Sequence, residues 1–317
     1  MKKVLIAMPN YSKPCVSGWR LLQEYGCEIT EIPFERDYTR EELKQIIEPF
    51  HGVIADSEPW CEDTLAAAKN LLAIARFGTG MDSVDVEAAK RHHVIVTNCP
   101  GLNANTVAEQ AVALLLAAAR QIPVLDWKTR QGEWPRAIFH EISEKTVGIL
   151  GFGNIGQKLA EKLSGFGCNL LAYDPYPNEK AAEQRRVRLV SYEELIQCSD
   201  YISIHLPLLP ETRHSIDRTF FQSVKKSAII INTARGPLVD EQALLWALAH
   251  GEISGYACDV FESEPPDPAS PLFQCENYIA TPHIAGETYE NRERTGLATA
   301  NALIDVFEGR EPPNRRA

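Results

Sequence analysis

The sequence lacks clusters of basic residues. Its 32 Lys and Arg residues are outnumbered by 43 Asp and Glu residues, which gives a formal net charge of −11, and no basic run is longer than a pair. Proteins that bind nucleic acid or anionic membranes usually carry a basic patch or stripe. We therefore expect neither nucleic acid nor a membrane as a partner.

Long apolar runs are missing as well. The most apolar stretch, residues 111–119, has nine residues, well short of the roughly 20 that a membrane-spanning helix needs. The start, MKKVLIAMPN, has five apolar residues before polar ones follow, too few for the core of a signal peptide. These two absences predict a cytoplasmic protein.

Paired cysteine motifs are also absent. The eight cysteines form no C-x-x-C pair, and no His accompanies them at the spacing of a zinc site. His92 and His93 adjoin a Lys and an Arg just before an expected strand, which is more typical of a solvated loop than of a metal site. We predict free thiols and no metal.

What the chain does contain is an alternation of short apolar runs and helical patterns. It extends from residue 1 to about residue 100 and resumes near residue 147. Such alternation predicts parallel sheets covered by helices, and 317 residues suffice for two domains. A helix over residues 105–120 is apolar on nearly every side and should be buried between domains or between subunits. Residues 127–139 are expected to be irregular.

Residues 146–174 read as a strand, a glycine turn, a helix and a second strand. The turn carries G-x-G-x-x-G at Gly151, Gly153 and Gly156. The first glycine permits the sharp turn, the second lets backbone approach a pyrophosphate, and the third lets helix and strand pack closely. The N-terminus of the helix then offers N–H groups to the phosphates. This order predicts a dinucleotide-binding turn.

Asp174 ends the second strand of this stretch. A carboxylate at this place can accept hydrogen bonds from the ribose hydroxyls. No Arg or Lys occurs among residues 175–178, so nothing nearby would neutralise a 2′-phosphate. The sequence therefore favours NAD over NADP.

Other polar residues cluster where strands are expected to end. In the first half, Gly78, Thr79 and Gly80 can leave backbone N–H groups open to an anion such as a carboxylate, although an ordinary turn is an equally good interpretation. In the second half the strands run into HLP, TARG, DVFESEP and TPHIAG. Ligands of open parallel sheets bind beyond these carboxyl ends.

Seven blocks of the chain, in order, are similar to the NAD-dependent D-2-hydroxyacid dehydrogenases over almost the full length: RFGTGMDSVD, TNCPGLNANTVAEQAVALLLAAAR, GFGNIG, HLPLLPETRH, NTARGPLVDEQAL, DVFESEPP and TPHIAG. The resemblance implies two doubly wound parallel-sheet domains. A flavodoxin-like substrate domain would comprise residues 1–100 and 287–317, and a Rossmann NAD-binding domain would comprise residues 101–286. The second domain would form most of the interface of a homodimer.

The resemblance also implies roles for individual residues. His283 would be the acid and base of the reaction, Glu264 the carboxylate behind it, and Arg235 the group that binds the substrate carboxylate. Beside the three turn glycines and Asp174, the cofactor would contact Thr106, Asn154, Ile155, His205, Pro207, Thr233, Ala234, Asp259 and Gly286. The substrate would contact Arg76, Gly78, Thr79, Gly80 and Arg235.

The chemistry of hydride transfer asks for these residue types independently. When a hydride reaches the carbon of a 2-oxo acid, the carbonyl oxygen needs a proton from a group that titrates near neutrality, as His does. A paired carboxylate favours the protonated His, and a guanidinium matches a planar carboxylate with two parallel bonds. Singly, His283, Glu264 and Arg235 could be a strand-end His, a surface charge and an ion-pair partner.

The substrate and one alternative function stay open. Glu264 argues against a formate dehydrogenase, whose pattern has Gln there. The phosphoglycerate branch shares RFGTG with Arg76 but usually has a basic residue in the segment matching ADSEPW, where Asp56 and Glu58 should repel a phosphate. Both 3-phosphoglycerate and glyoxylate or hydroxypyruvate are therefore candidates. We expect no regulatory domain of the kind that some phosphoglycerate enzymes append, and hence no feedback inhibition through one. The alternative is an NAD(H)-sensing, corepressor-like binding protein.

Overall fold

The computed structural model describes residues 1–33, 36 and 38–317. The chain divides into two units, unit 1 with Met1–Asn103 and Gly286–Ala317, and unit 2 with Ala104–Ala285. Unit 1 therefore continues to Asn103, beyond the expected boundary at residue 100. Gly286, which was expected in the cofactor domain, belongs to unit 1.

Short strands and helices alternate along both units. In chain order the elements are β1 (Lys3–Ile6), α1 (Val16–Glu24), β2 (Glu28–Glu31), α2 (Arg40–Ile46), β3 (Gly52–Ala55), α3 (Glu62–Ala67), β4 (Ala73–Arg76), α4 (Val86–Arg91), β5 (Ile95–Thr97), α5 (Ala104–Ala119), α6 (Ile122–Arg130), β6 (Thr146–Leu150), α7 (Asn154–Leu163), β7 (Asn169–Tyr173), α8 (Glu179–Gln184), β8 (Arg188–Leu189), α9 (Tyr192–Cys198), β9 (Tyr201–Ile204), α10 (Arg218–Ser223), β10 (Ile229–Asn232), α11 (Glu241–Ala249), β11 (Gly255–Cys258), β12 (Tyr278–Ala280) and α12 (Tyr289–Phe307).

Unit 1 contains a five-stranded parallel sheet in the order β2-β1-β3-β4-β5. This is the flavodoxin-like order of doubly wound folds. All four residues of β3 are buried, because helices cover both faces of such a sheet. The alternating apolar pattern of the first hundred residues thus predicts the architecture correctly.

The last helix, α12, completes one face of unit 1 by packing on α1. The two helices approach closely at Gly18 and Gly296, since a Cβ atom on Gly18 would lie 2.4 Å from the carbonyl oxygen of Gly296. The hydroxyl of the buried Tyr11 donates a 2.9 Å hydrogen bond to the same oxygen. Residues 1–103 alone therefore do not form the whole unit.

Unit 2 contains a seven-stranded parallel sheet in the order β12-β11-β10-β9-β6-β7-β8. The strand order reverses at β6, which lies between β7 and β9. This is the Rossmann order with one further strand, and ligands bind such sheets at the reversal, beyond the carboxyl ends of the strands. The fold class expected from the sequence is confirmed.

Three helices of unit 2 differ from expectation. Residues 127–130, expected to be irregular, belong to α6, which follows Gln121 in the left-handed conformation and has Pro in its first turn, a favoured position for Pro. α8, capped by the Asn178 side chain, was not predicted. α5 is buried as expected, but it packs on α7, β10 and β11 of its own unit.

No single helix in the described part of the chain has the length and apolarity needed to cross a membrane. Only the pair α5 and α6, bent by 59° at its break, satisfies that test jointly. All eight cysteines are free thiols.

Candidate active site

His283 lies just beyond β12, at the carboxyl edge of the unit 2 sheet, and pairs with Glu264. Its Nδ1 atom lies 2.6 Å from Oε2 of Glu264. This hydrogen bond raises the pKa of His283. Burial is the largest single effect and would raise the pKa of Glu264, but the hydrogen bond and charge of His283, the Phe261 N–H and the charge of Arg235 together outweigh it and lower the pKa. Both shifts favour the pair of an imidazolium and a carboxylate.

The turn that carries His283 is anchored by Asp259, which is fully buried directly after β11. One carboxylate oxygen accepts hydrogen bonds from the Thr281 hydroxyl and, at 3.0 Å, from the backbone N–H of Ile284. The other accepts from the N–H of Ala285 at 2.7 Å. The two oxygens thus fix the backbone on both sides of His283.

Glu264 is held from its other side. Its Oε1 atom accepts a 3.0 Å hydrogen bond from the backbone N–H of Phe261. Because each oxygen has its own partner, the carboxylate has a defined orientation toward the imidazole. This geometry resembles the acid and base pairs of other enzymes, in which a carboxylate orients a His.

Arg235 follows β10, in a turn clamped by the buried Asn232. The Asn232 side chain accepts from the N–H of Ala234 at 3.0 Å and donates to the carbonyl of Arg235 at 3.0 Å. The guanidinium donates to the carbonyl of Ala234 at 2.7 Å. Its positive charge acts on both His283 and Glu264, so the structure brings the three expected catalytic residues together.

Gly236 sets the spacing between two of these turns. A Cβ atom there would lie 1.9 Å from the backbone carbonyl of Phe261, a distance no side chain can occupy. The turn with Arg235 therefore packs against the turn with Glu264 as closely as glycine allows. Neither Asn232 nor Gly236 was singled out from the sequence, although Asn232 directly precedes TARG and Gly236 is its last residue.

The glycine turn after β6 has the geometry that its three glycines require. Gly151 has φ +101°, and a Cβ atom there would lie 2.7 Å from backbone atoms of His205. A Cβ atom on Gly156 would lie 2.3 Å from the carbonyl oxygen of Gly151. A Cβ atom on Gly153 would meet nothing within 4 Å. The outer side of the turn, with Asn154 and Ile155 opening α7, is therefore open to a ligand.

Asp174, at the end of β7, braces the same turn. Its carboxylate accepts from the N–H of Phe152 at 2.8 Å and from the N–H of Tyr176 at 2.9 Å. A carboxylate has about four acceptor sites, so two backbone bonds leave capacity for ribose hydroxyls. The side chain is only partly buried.

Two buried polar atoms beyond the neighbouring strands have no hydrogen-bond partner in the described part of the chain. They are Nδ1 of His205, after β9, and Oγ1 of Thr233, after β10. Burial lowers the pKa of His205 to about 4, so its ring is neutral, and its Nε2 pairs with the Ser203 hydroxyl at 2.8 Å. Orphaned buried groups usually await a partner. With the open Gly153, they fit a bound dinucleotide.

The other expected cofactor residues are distributed as follows. Thr106 is buried in α5 of unit 2, and Pro207 and Ala234 lie beyond β9 and β10. Gly286 lies in unit 1, where its carbonyl accepts from the Asn291 side chain at 2.8 Å.

The expected substrate residues of unit 1 follow β4. The Arg76 guanidinium donates to Asp56 Oδ1 at 3.1 Å and to the carbonyl of Phe77 at 2.9 Å. The Thr79 carbonyl accepts from the Asn98 side chain at 2.8 Å. Among residues 1–33, 36 and 38–317, no group accepts from the backbone N–H of Thr79 or of Gly80. Those two amides, next to Gly78, could bind a carboxylate.

Glu58 corrects one expectation. Its side chain is fully buried and accepts from the Trp60 indole N–H at 3.0 Å and from the backbone N–H of Asp56 at 2.9 Å. Burial raises the pKa of Glu58 to about 8, so it is mostly neutral at pH 7. The expectation that both Asp56 and Glu58 repel a phosphate is wrong for Glu58, because its burial depends on contacts that the sequence does not display.

Comparison with known proteins gives a consistent picture. The family model described as "D-isomer specific 2-hydroxyacid dehydrogenase, NAD binding domain" matches residues 112–285. A D-3-phosphoglycerate dehydrogenase of Methanocaldococcus jannaschii is 38% identical over 98% of this chain and 58% of its own length. A glyoxylate reductase of Korarchaeum cryptofilum is 36% identical over 95% of each chain.

The solved structures agree with these sequence relatives. The apo structure of D-lactate dehydrogenase from Escherichia coli is similar with a TM-score of 0.88 and 30% identity, over 99% of each chain. The chain spans about half the length of the first phosphoglycerate dehydrogenases that it matches. With the family model covering more than half of its residues, the chain belongs to the D-isomer specific 2-hydroxyacid dehydrogenase family, and its unit 2 carries the family's NAD-binding domain.

Proposed function

We propose that this protein is an NAD-dependent dehydrogenase that interconverts a D-2-hydroxy acid and the corresponding 2-oxo acid. The pairing of His283 with Glu264, with Arg235 beside it, is the observation that carries the proposal. The pair lies at the same edge of the sheet as the glycine turn. The names of the relatives, which include a phosphoglycerate dehydrogenase and a glyoxylate reductase, support this class of reaction.

In the reducing direction, bound NADH supplies a hydride to the carbonyl carbon of the 2-oxo acid. Protonated His283 then donates the proton on its Nε2 atom to the carbonyl oxygen, because its Nδ1 atom is bonded to Glu264. Glu264 stabilises the imidazolium before the transfer. Arg235 binds the substrate carboxylate and polarises the carbonyl. In the oxidising direction His283 is the base.

The residues that would hold NAD are those of the glycine turn and the neighbouring strand ends. The turn formed by Gly151, Gly153, Asn154, Ile155 and Gly156 would hold the pyrophosphate, since N–H groups at the start of α7 favour an anion. Asp174 would accept hydrogen bonds from the ribose hydroxyls. The remaining contacts in this proposal are Thr106, His205, Pro207, Thr233, Ala234, Asp259 and Gly286.

The substrate carboxylate is assigned to the amides of Thr79 and Gly80 together with Gly78, while Arg76 contacts the rest of the molecule. The candidates are 3-phosphoglycerate, or glyoxylate and hydroxypyruvate. We propose that unit 1 is the substrate-binding domain.

Turnover of NADH with a panel of 2-oxo acids tests the proposal. The loss of NADH absorbance is followed with glyoxylate, hydroxypyruvate, pyruvate, 2-oxoglutarate and phosphohydroxypyruvate, and the series is repeated with NADPH. We expect turnover of at least one acid, with NADH preferred. NADH binding without turnover of any acid would contradict the proposal and favour an NAD(H)-sensing protein.

A homodimer is part of the same proposal. α6 and the segment after it expose large apolar side chains, at 53% for Ile122, 58% for Trp127, 78% for Trp134 and 100% for Ile138. A patch of this kind on a folded protein usually marks an interface. Light scattering of the purified protein should give the mass of a dimer, and Trp134→Glu with Ile138→Glu should give that of a monomer.

The free cysteines are consistent with a reducing compartment, which supports a cytoplasmic location.

A further inference from the structure

The Arg76 guanidinium is already paired inside unit 1. β3 and β4 are neighbours, with Ala55 opposite Arg76 in the register, so Asp56 follows directly beside the Arg side chain. Asp56 Oδ1 lies 3.1 Å from Nη1 of Arg76, whose side chain is 14% exposed. The same nitrogen also donates to the Phe77 carbonyl. The positive charge at this strand end is therefore matched by a carboxylate.

Asp56 is also held in place by its own segment. Its backbone N–H donates to Glu58, and Glu58 accepts from the indole of Trp60. Both Glu58 and Trp60 are fully buried, and the carbonyl of Asp56 accepts from the Ser83 hydroxyl at 3.3 Å. The carboxylate thus projects from a fixed backbone, and its position beside Arg76 is built into the unit.

We propose that Asp56 is a specificity-determining residue that restricts this end of the site to 2-oxo and 2-hydroxy acids without a phosphate group. The inference rests on the proposed function, because it takes Arg76 as a substrate contact. Asp56 already pairs with Nη1 of Arg76, so the charge of the guanidinium is partly balanced before a phosphate reaches it. A phosphate would also meet the negative charge of Asp56.

The magnitude of the effect follows from Coulomb's law. Two like charges beside the same guanidinium repel enough, in the effective dielectric near a protein surface, to change an affinity by roughly tenfold or more. Glu58 adds little to this repulsion because it is buried and mostly neutral at pH 7. The discrimination is therefore assigned to Asp56 alone.

Binding of two acids that differ only in a phosphate tests the inference. Calorimetry with NADH-saturated protein gives the Kd values of D-glycerate and 3-phosphoglycerate, since NADH prevents oxidation of either acid. We expect wild type to bind D-glycerate at least about tenfold more tightly. Asp56→Asn should move the ratio of the two Kd values toward the phosphorylated acid by at least about tenfold.

Asp63→Asn is the matched control, because Asp63 on α3 is also an Asp paired with an Arg, Arg40. It should leave the ratio unchanged. Tighter binding of 3-phosphoglycerate by wild type would overturn the inference even if Asp56→Asn did not fold. An unchanged ratio in Asp56→Asn, or binding of neither acid by either form, would overturn it as well.

The proposed function is judged separately, by turnover of 2-oxo acids with the same wild-type preparation. If the binding ratios behave as expected while no acid is turned over, the dehydrogenase proposal fails and the assignment of Asp56 stands. If an acid is turned over while the binding ratio stays unchanged in Asp56→Asn, the dehydrogenase proposal stands and the assignment of Asp56 fails.

Discussion

Glu264 favours the protonated form of His283 through the hydrogen bond between their side chains. The carboxylate raises the pKa of the imidazole, and a group whose folded-state pKa is raised stays protonated to a higher pH. In reduction, which needs the protonated form, activity should therefore persist until the pH rises through this raised pKa. In oxidation, which needs the neutral form, activity should be lost as the pH falls through it.

Glu264→Gln removes the charge and keeps a side chain of the same size. We expect the pH at which reduction declines to move lower, and the pH at which oxidation begins to move lower by the same amount. The profile of kcat/KM against pH in both directions measures this. If the variant has a lower rate but its two pH profiles rise and fall at the same pH values as those of the wild type, Glu264 has no electrostatic role.

Removal of the imidazole should affect chemistry more than cofactor binding. His283→Ala is expected to lower kcat by a factor on the order of 10² to 10⁴, the usual contribution of a general acid. The Kd of NADH, measured by fluorescence, should change little. His250→Ala, at the exposed end of α11, is the control and should keep full activity. Near-normal turnover of His283→Ala would remove His283 from the mechanism.

Glu58 should make stability depend on pH. Its pKa is raised from 4.5 to about 8, so below pH 4.5 both folded and unfolded states hold the proton. As the pH rises toward 8, only the unfolded state loses the proton, and the wild type should be destabilised by up to about 1.4 kcal/mol per pH unit. Glu58→Gln cannot titrate. Denaturant titrations of both proteins at pH 5 and 8 give their free energies of unfolding. The value for the variant should rise relative to that of the wild type between pH 5 and pH 8. The same difference between the two proteins at both pH values would contradict the burial of an ionisable Glu58.

At the scale of the element, two substitutions in the turn between β6 and α7 should separate an effect on NADH binding from an effect on protein stability. Gly153→Ala places a methyl group where nothing lies within 4 Å, whereas Gly156→Ala places one 2.3 Å from the Gly151 carbonyl. The first variant should bind NADH at least about tenfold more weakly with an unchanged Tm, because the methyl group meets the pyrophosphate. The second should lower the Tm. Unimpaired NADH binding by Gly153→Ala would place the cofactor elsewhere.

The strands were predictable because each is a short apolar run between polar turns. β6 and β7 lie in the strand–turn–helix–strand stretch expected for residues 146–174, and the fixed spacing of glycines located the turn before α7. α8 was missed because its six residues cover less than two helical turns, too few for a clear periodicity. α6 was misread because none of its residues is buried and its apolar residues form no stripe.

The candidate site was predictable where its residues belong to short sequence blocks at the ends of strands. His283, Glu264 and Arg235 stand in distinct blocks, and the order of parallel strands brings their ends together. The supporting groups depend on contacts between distant segments. Asp259 accepts a hydrogen bond from a turn 25 residues ahead, and Glu58 is mostly neutral only because unit 1 buries it. Neither fact is visible as a local pattern.

At the scale of the whole molecule, unit 2 is one continuous segment with apolar clusters on both faces of its sheet. We therefore expect residues 104–285, expressed alone, to fold cooperatively and to bind NADH. Thermal melting followed by circular dichroism, with and without NADH, measures both properties. The segment carrying Gly153→Ala serves as the control, which should melt alike but show no stabilisation by NADH. An unfolded wild-type segment would show that unit 2 depends on unit 1.

Unit 1 has no such continuity, since α12 supplies one side of its core from the far end of the described chain. During synthesis on the ribosome, residues 1–103 emerge first. The surface of α1 at Gly18, on which α12 packs, stays uncovered until residues 289–307 have been made. Unit 2, although made later, can finish folding earlier. The order in which the two units can complete their cores is therefore the reverse of the order in which their first residues are translated.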